Sequence, residues 1–213
     1  MGTPARLELN REGKPEGIVA AVEALKTMRT GSDYTIIYYY GPDGGGEVLG
    51  DGDEVNAVRE RLYSAVLEEL KRGRLRDYKR IICFDRGVLA NDHELQSGVL
   101  RVGTGPGTID PMLGRHCRAM LQTKGCSLFV APAVFRSVVV LYGSDMVSLN
   151  FDTAESNRGG RTFAGIFFFS DPPNGAIVEQ FRQIERTTET RMVAVHKIIF
   201  PDETESTAKL ATH

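Results

Sequence analysis

The sequence predicts an α/β fold, a mixed β-sheet sandwiched between helices. Three observations carry this prediction. Strand-like and helix-like segments alternate from residue 33 to 124, the pattern of parallel strands joined by crossover helices. Three closely spaced strand-like runs, the two arms of a hairpin and the strand after it, lie between 135 and 171, which favours antiparallel pairing. The 213 residues are 41% hydrophobic and 25% charged, so the chain can bury a core without staples.

Taken in order, RLELN at 6–10 reads as a short strand. KPEGIVAAVEALKTMRTG reads as a helix, with Ile18, Val19, Val22, Leu25 and Met28 on one face and Gly31 and Ser32 closing it. DYTIIYYYG is a strand buried on both faces, and its tyrosines 38–40 read as core rather than as a platform for bases. After the irregular GPDGGGEVLGDGDE, the helix EVNAVRERLYSAVLEELKRG sets Val55, Val58, Leu62, Val66 and Leu70 in an apolar stripe with charges over the rest. YKRIICFD is a second parallel-type strand.

Residues 86–110 read as a long polar, Gly-rich connection with one apolar island, GVLRVG. Asp110 and Pro111 fit the N-cap and first position of a helix running through MLGRHCRAMLQTKG. The strand CSLFVAPA follows, then the hairpin FRSVVVLYGSDMVSLNFD, then the strand TFAGIFFFSD. Ser170 or Asp171 begins the last helix, with Ile177, Val178, Phe181 and Ile184 on its apolar side. RMVAVHKIIF fits either a helix tail or an edge strand. The domain reading is an N-terminal strand and helix extension over 1–32, an α/β domain over 33–200 and a disordered polar tail over 201–213.

Composition narrows the function classes. A net charge of -2 gives no sign of a broad nucleic-acid surface. No stretch approaches the roughly 18 apolar residues of a membrane span. The opening residues carry no apolar run of the secretory kind, and Cys83, Cys117 and Cys126 match neither a disulfide framework nor a CxxC pair; a cytoplasmic location is the expectation. Four histidines make a multi-His metal site unexpected, and neither a cofactor nor a metal is implied. The glycine-rich 41–54 segment lacks GK[ST] and EF-hand spacing, and Asp43, Glu47, Asp51, Asp53 and Glu54 would repel a phosphate.

Candidate ligand-binding residues come from the productive edge of such a sheet, beyond the carboxyl ends of its strands. Asp85 and Arg86 end YKRIICFD, His93 lies in the following connection, and His116 and Arg118 lie in GRHCRAML. Arg158 and Arg161, beside the glycines of SNRGGR, suit a phosphate or carboxylate. Each also has a plainer reading as a cap, a solvated loop side chain or a half-buried helix residue.

Over residues 33–186 the order of elements resembles one half of the phospholipase D superfamily, most closely from CSLFVAPA through the hairpin to GRTFAGIFFFSDPPNGAIVEQFRQIER. The resemblance implies a hairpin bearing HxK, an Asp five residues after the Lys, then GS and an Asn; the His is the nucleophile, Lys and Asn hold phosphate oxygens, and Asp orients a His. Here Phe135 falls at the His, Ser137 at the Lys, Tyr142 at the Asp, Leu149 and Asn150 at GS, and Asp152 at the Asn. No His lies between 117 and 195, and in HKIIFPD the Lys follows the His directly. The resemblance therefore predicts the architecture without the reaction. It also implies a homodimer paired through the active-site face.

Three functional expectations follow. The first is a non-catalytic module that dimerises, senses a small ligand or docks a protein partner. The second is a phosphodiesterase or nucleotide hydrolase whose site has moved to Asp85, His93 and His116. The third sets the module in a regulatory or defence system, acting with a separately encoded partner, since no helix-turn-helix is evident.

Overall fold

The structure is a computed structural model and describes residues 6–9, 16–40, 53–135, 137–153, 162–170 and 175–201. Strand β1 (Arg6–Leu9) and helix α1 (Glu16–Thr27) lead into β2 (Ser32–Tyr40), α2 (Asp53–Lys71) and β3 (Leu75–Phe84). Two short helices, α3 (Arg86–Asn91) and α4 (His93–Gln96), precede β4 (Val99–Val102) and β5 (Thr108–Ile109). Helix α5 (Pro111–Leu121) and strands β6 (Cys126–Pro132), β7 (Val138–Tyr142), β8 (Met146–Thr153) and β9 (Thr162–Ser170) follow, then α6 (Ala176–Glu189), β10 (Val193–Ala194) and β11 (Lys197–Ile199).

Eight strands form the main sheet in the order β1-β9-β8-β7-β2-β3-β6-β10. The centre, β2, β3 and β6, is parallel. From β7 outward to β1 every pairing is antiparallel. This is the mixed sheet the sequence predicts, and the antiparallel half is the part made from runs too closely spaced for crossovers.

The period of two along each strand divides the side chains between two layers. Tyr34, Ile36, Tyr38, Tyr78, Ile82, Val140 and Tyr142 pack toward α1, α2 and α5 in one large core. Ile37, Ile81, Cys83, Ala131, Val139, Leu141 and Val147 pack against Val178 of α6 in the other. Helix α1 buries Ile18, Ala21 and Leu25 but leaves Val19 47% exposed, so its inward stripe runs through Ala21 and not through Val19 as expected. Likewise Ile177 of α6 faces outward while its neighbour Val178 is fully buried.

One segment differs from expectation, and another takes one of its two expected forms. The long connection after β3 is built of α3, α4, β4 and β5, and β4 is the apolar island GVLRVG; Leu95, Leu100 and Ile109 there are fully buried. Asp92 caps α4 by accepting from the Glu94 and Leu95 amides at 3.0 and 3.1 Å. Elements this short have too little periodicity to read in isolation and are fixed by what they pack on. RMVAVHKIIF forms two edge strands: β10 lies on β6, and β11 runs parallel to β4 in a separate three-stranded sheet with β5. Gly114 lets α5 close on that sheet, since a Cβ there would lie 2.3 Å from Val102 Cγ2. The last helix starts at Ala176 with Gly175 as its cap; the expected start, Asp171 and the two prolines, lies outside the described residues, and Ser170 ends β9.

Candidate functional site

The sequence-nominated residues occupy separate places. Asp85 and the exposed Arg86 stand where β3 passes into α3, and His93 is exposed at the start of α4. His116 is buried on α5, with Nε2 2.9 Å from the Tyr78 hydroxyl. Tyr78 and Asp85 are seven residues apart along β3, about 23 Å at strand rise, so His116 does not converge with Asp85. Arg118 donates to the Ile198 carbonyl at 3.2 Å and lies 4.1 Å from the Phe200 ring centroid, which ties α5 to β11. Arg158 and Arg161 lie outside the described residues.

The hairpin is β7 and β8, in the register Val138↔Asn150 through Tyr142↔Met146. Phe135 is 36% exposed beside Val134, 45% exposed, in the connection before β7. The Ser137 hydroxyl donates to the Asn150 carbonyl across the hairpin. Tyr142 is buried at the far end of β7, its ring edge-on to Tyr34 and its hydroxyl 3.3 Å from Ser148 Oγ. Asp152 pairs with Phe163 just past an irregularity in the β8–β9 register; its side chain lies outside what the structure describes.

The most concentrated chemistry lies on the α1/α2/α5 side of the sheet and was not legible as a site. Arg80, in the middle of β3, is 1% exposed. Its Nε donates to the Tyr78 hydroxyl at 2.8 Å, and its guanidinium stands 5.0 Å from the Tyr63 ring centroid. Tyr63 in turn stacks on His116 at 4.3 Å. Arg59 of α2, also buried, pairs with Asp110 at 3.0 Å. Asp110 accepts from Tyr40 Oη at 3.3 Å and caps α5 through Leu113 N at 2.9 Å. Burial, and then the Arg80 charge, hold the His116 pKa well below the usual imidazole range.

A cavity of about 70 Å³ opens between this cluster and the inner face of the hairpin. Arg59, Arg80, Tyr142, Ser148 and Asn150 contribute its polar lining. The sequence held one signal of it. Lys79 and Arg80 are adjacent, directly before the apolar run IICF of a central strand, so alternation must turn one toward each layer. Lys79 reaches Glu185 and Glu189 of α6 on one side, and Arg80 faces the opposite one. Among the described residues no group of three or more His, Cys, Asp or Glu side chains is placed to hold a metal ion.

No family profile matches the sequence, and no curated protein matches it. Solved structures do. The chain is similar to the phospholipase D family member Nuc from Salmonella typhimurium, at 12% identity over 90% of this chain and 97% of that one, with a TM-score of 0.45. It is similar to NucT from Helicobacter pylori, at 8% identity over 90% of this chain and 98% of that one, with a TM-score of 0.50. It is also similar to the phosphatidylserine synthase of Haemophilus influenzae Rd KW20, at 10% identity over 90% of this chain and 39% of that one, with a TM-score of 0.51. At such identities the likeness is one of fold, and the fold is phospholipase D-like.

Proposed function

We propose that this chain is a non-catalytic module on the phospholipase D-like fold, which pairs with a second copy or docks a protein partner and responds to a small ligand. One observation carries the reading: the hairpin positions that would bear the nucleophile and its helpers hold Phe135, Ser137 and Tyr142, and the last two have structural roles. Ser137 pins the hairpin and Tyr142 fills the core. The neighbouring apolar pair, Val134 and Phe135, supports pairing through this end of the sheet. A regulatory or defence setting with a separately encoded partner suits such a module. A hydrolase site at Asp85, His93 and His116 has less support, because His116 is buried and engaged by Tyr78.

The test is to incubate the purified chain with bis(p-nitrophenyl) phosphate and follow p-nitrophenolate. No release above buffer is expected. Release that scales with protein and co-elutes with it sinks the reading. Light scattering on the same sample is expected to give twice the 23.4 kDa of one chain, and Phe135→Glu to shift it toward the monomer.

A further inference from the structure

We infer that the cavity beneath the hairpin is a binding site for a small oxyanion, of the size of inorganic phosphate, held by the Arg80 guanidinium. This deepens the ligand-sensing part of the reading above and rests on that reading only for what the binding is used for.

The argument starts from charge. Arginine stays protonated in proteins, so Arg80 carries a full positive charge wherever it sits. It sits on the central strand, opposite Ile36 of β2 and Leu128 of β6, with 1% of its surface exposed. A buried charge without a counter-ion is strongly disfavoured. Among the described residues no carboxylate lies within ion-pairing distance of it. The nearby acid, Asp110, is already engaged by Arg59, Tyr40 and the Leu113 amide. The Tyr63 ring and the Tyr78 hydroxyl compensate Arg80 in part. Arg59 and Asp110 cancel, and one positive charge is left over.

The unmet hydrogen bonds lie around the same space. Arg80 Nη1 and Arg59 Nε, both donors, are buried with no hydrogen-bond partner among the described residues; the Asn150 side-chain oxygen is unpartnered too, and as an acceptor it suits only a protonated oxygen of the anion. All three residues line the cavity. Ser148 and Tyr142 add hydroxyls that can turn toward a ligand. At about 70 Å³ the cavity exceeds the roughly 15 Å³ of such space that one water needs, enough for a small anion. A planar guanidinium with hydroxyl donors around it suits the oxygens of an oxyanion. Leu62, Val138 and Asn150, only half-buried, mark the side on which a larger molecule could present a terminal phosphate group.

The experiment titrates inorganic phosphate into the full chain at constant ionic strength, in a buffer whose only other anion is a bulky sulfonate. Binding is read by calorimetry and by the rise in melting temperature. Saturable one-to-one binding is expected from the native chain and none from Arg80→Met, which removes the charge and keeps an apolar stem. Asn150→Asp supplies a carboxylate to the same space; it is expected to raise the melting temperature without phosphate and to abolish the response to it. A native chain with no saturable response, or an Asn150→Asp chain that responds as the native one does, overturns the proposal. Phenyl phosphate forms a second arm: binding equal to that of phosphate identifies a terminal phosphate group as ligand, and its absence identifies the free ion. The readouts need no turnover, so a positive phosphodiesterase assay would remove the non-catalytic reading and leave the anion site standing.

Discussion

The Tyr78 hydroxyl lies 2.9 Å from His116 Nε2 and ties the central strand β3 to helix α5. The same oxygen accepts from Arg80 Nε at 2.8 Å, so one hydroxyl joins the guanidinium to the imidazole. Burial disfavours the imidazolium form of His116, and protonation would also set a second positive charge beside Arg80 at one hydroxyl. A relay from guanidinium to phenol to imidazole thus runs from the central strand to α5, with Tyr63 stacked over the imidazole.

The first prediction concerns pH. The folded-state pKa of His116 lies well below its unfolded value, so below about pH 6.5 the unfolded chain binds a proton that the folded chain refuses. This contribution to stability is complete above that pH and falls by up to about 1.4 kcal/mol per pH unit as pH drops toward the folded value. Urea unfolding of the native chain and of His116→Gln between about pH 5 and pH 7 should show a shallower pH dependence in the variant.

Asp110 joins three duties: helix cap, partner of Arg59 and partner of Tyr40. Asp110→Asn keeps a good cap and removes the charge, leaving Arg59 buried without a counter-ion; a loss of about 3 kcal/mol or more is expected. Asp110→Ala should lose about 1 kcal/mol beyond that, the usual worth of a cap. Chemical denaturation of the two variants separates the contributions. Equal losses would mean that the cap contributes nothing.

Gly31 and Gly98 both hold a positive φ, +81° and +82°, but their surroundings differ. A Cβ at Gly31 meets nothing within 4 Å, whereas at Gly98 it would lie 2.2 Å from the Ala194 carbonyl oxygen. Gly31→Ala should cost about 1–2 kcal/mol, the left-handed penalty alone. Gly98→Ala should cost clearly more, because the turn into β4 and the end of β10 must separate. Melting temperatures of the pair check this.

Burial pushes the Cys83 and Cys117 thiols up to about 12 and that of Cys126 to about 11. Little thiolate exists near pH 8, and the thiolate is the reacting form. Ellman's reagent should label the native chain slowly at all three positions and rapidly in denaturant. Fast labelling of one native cysteine would show that its environment opens.

Much of the fold was legible. The apolar stripe of α2 reads correctly through Val58, Val66 and Leu70, all buried, and the cap at Asp110 with Pro111 behind it is where turn chemistry places it. The same helix shows the limit. Its charged positions read as solvated, yet Arg59 is 6% exposed, because Asp110, 51 residues away, arrives to pair with it. No local pattern carries that information.

The order of parallel and antiparallel pairing follows from the sequence alone, since connection length decides whether a crossover is possible and period two decides which side chains share a layer. That Phe135, Ser137 and Tyr142 are not His, Lys and Asp is likewise a fact of sequence. Tertiary structure decided where the uncompensated charge lies. Among the described residues Arg80 meets Tyr78, Tyr63 and a cavity instead of a carboxylate, because three parallel strands and two helices close around it. A buried charge is defined by neighbours distant in sequence, and only packing brings them together.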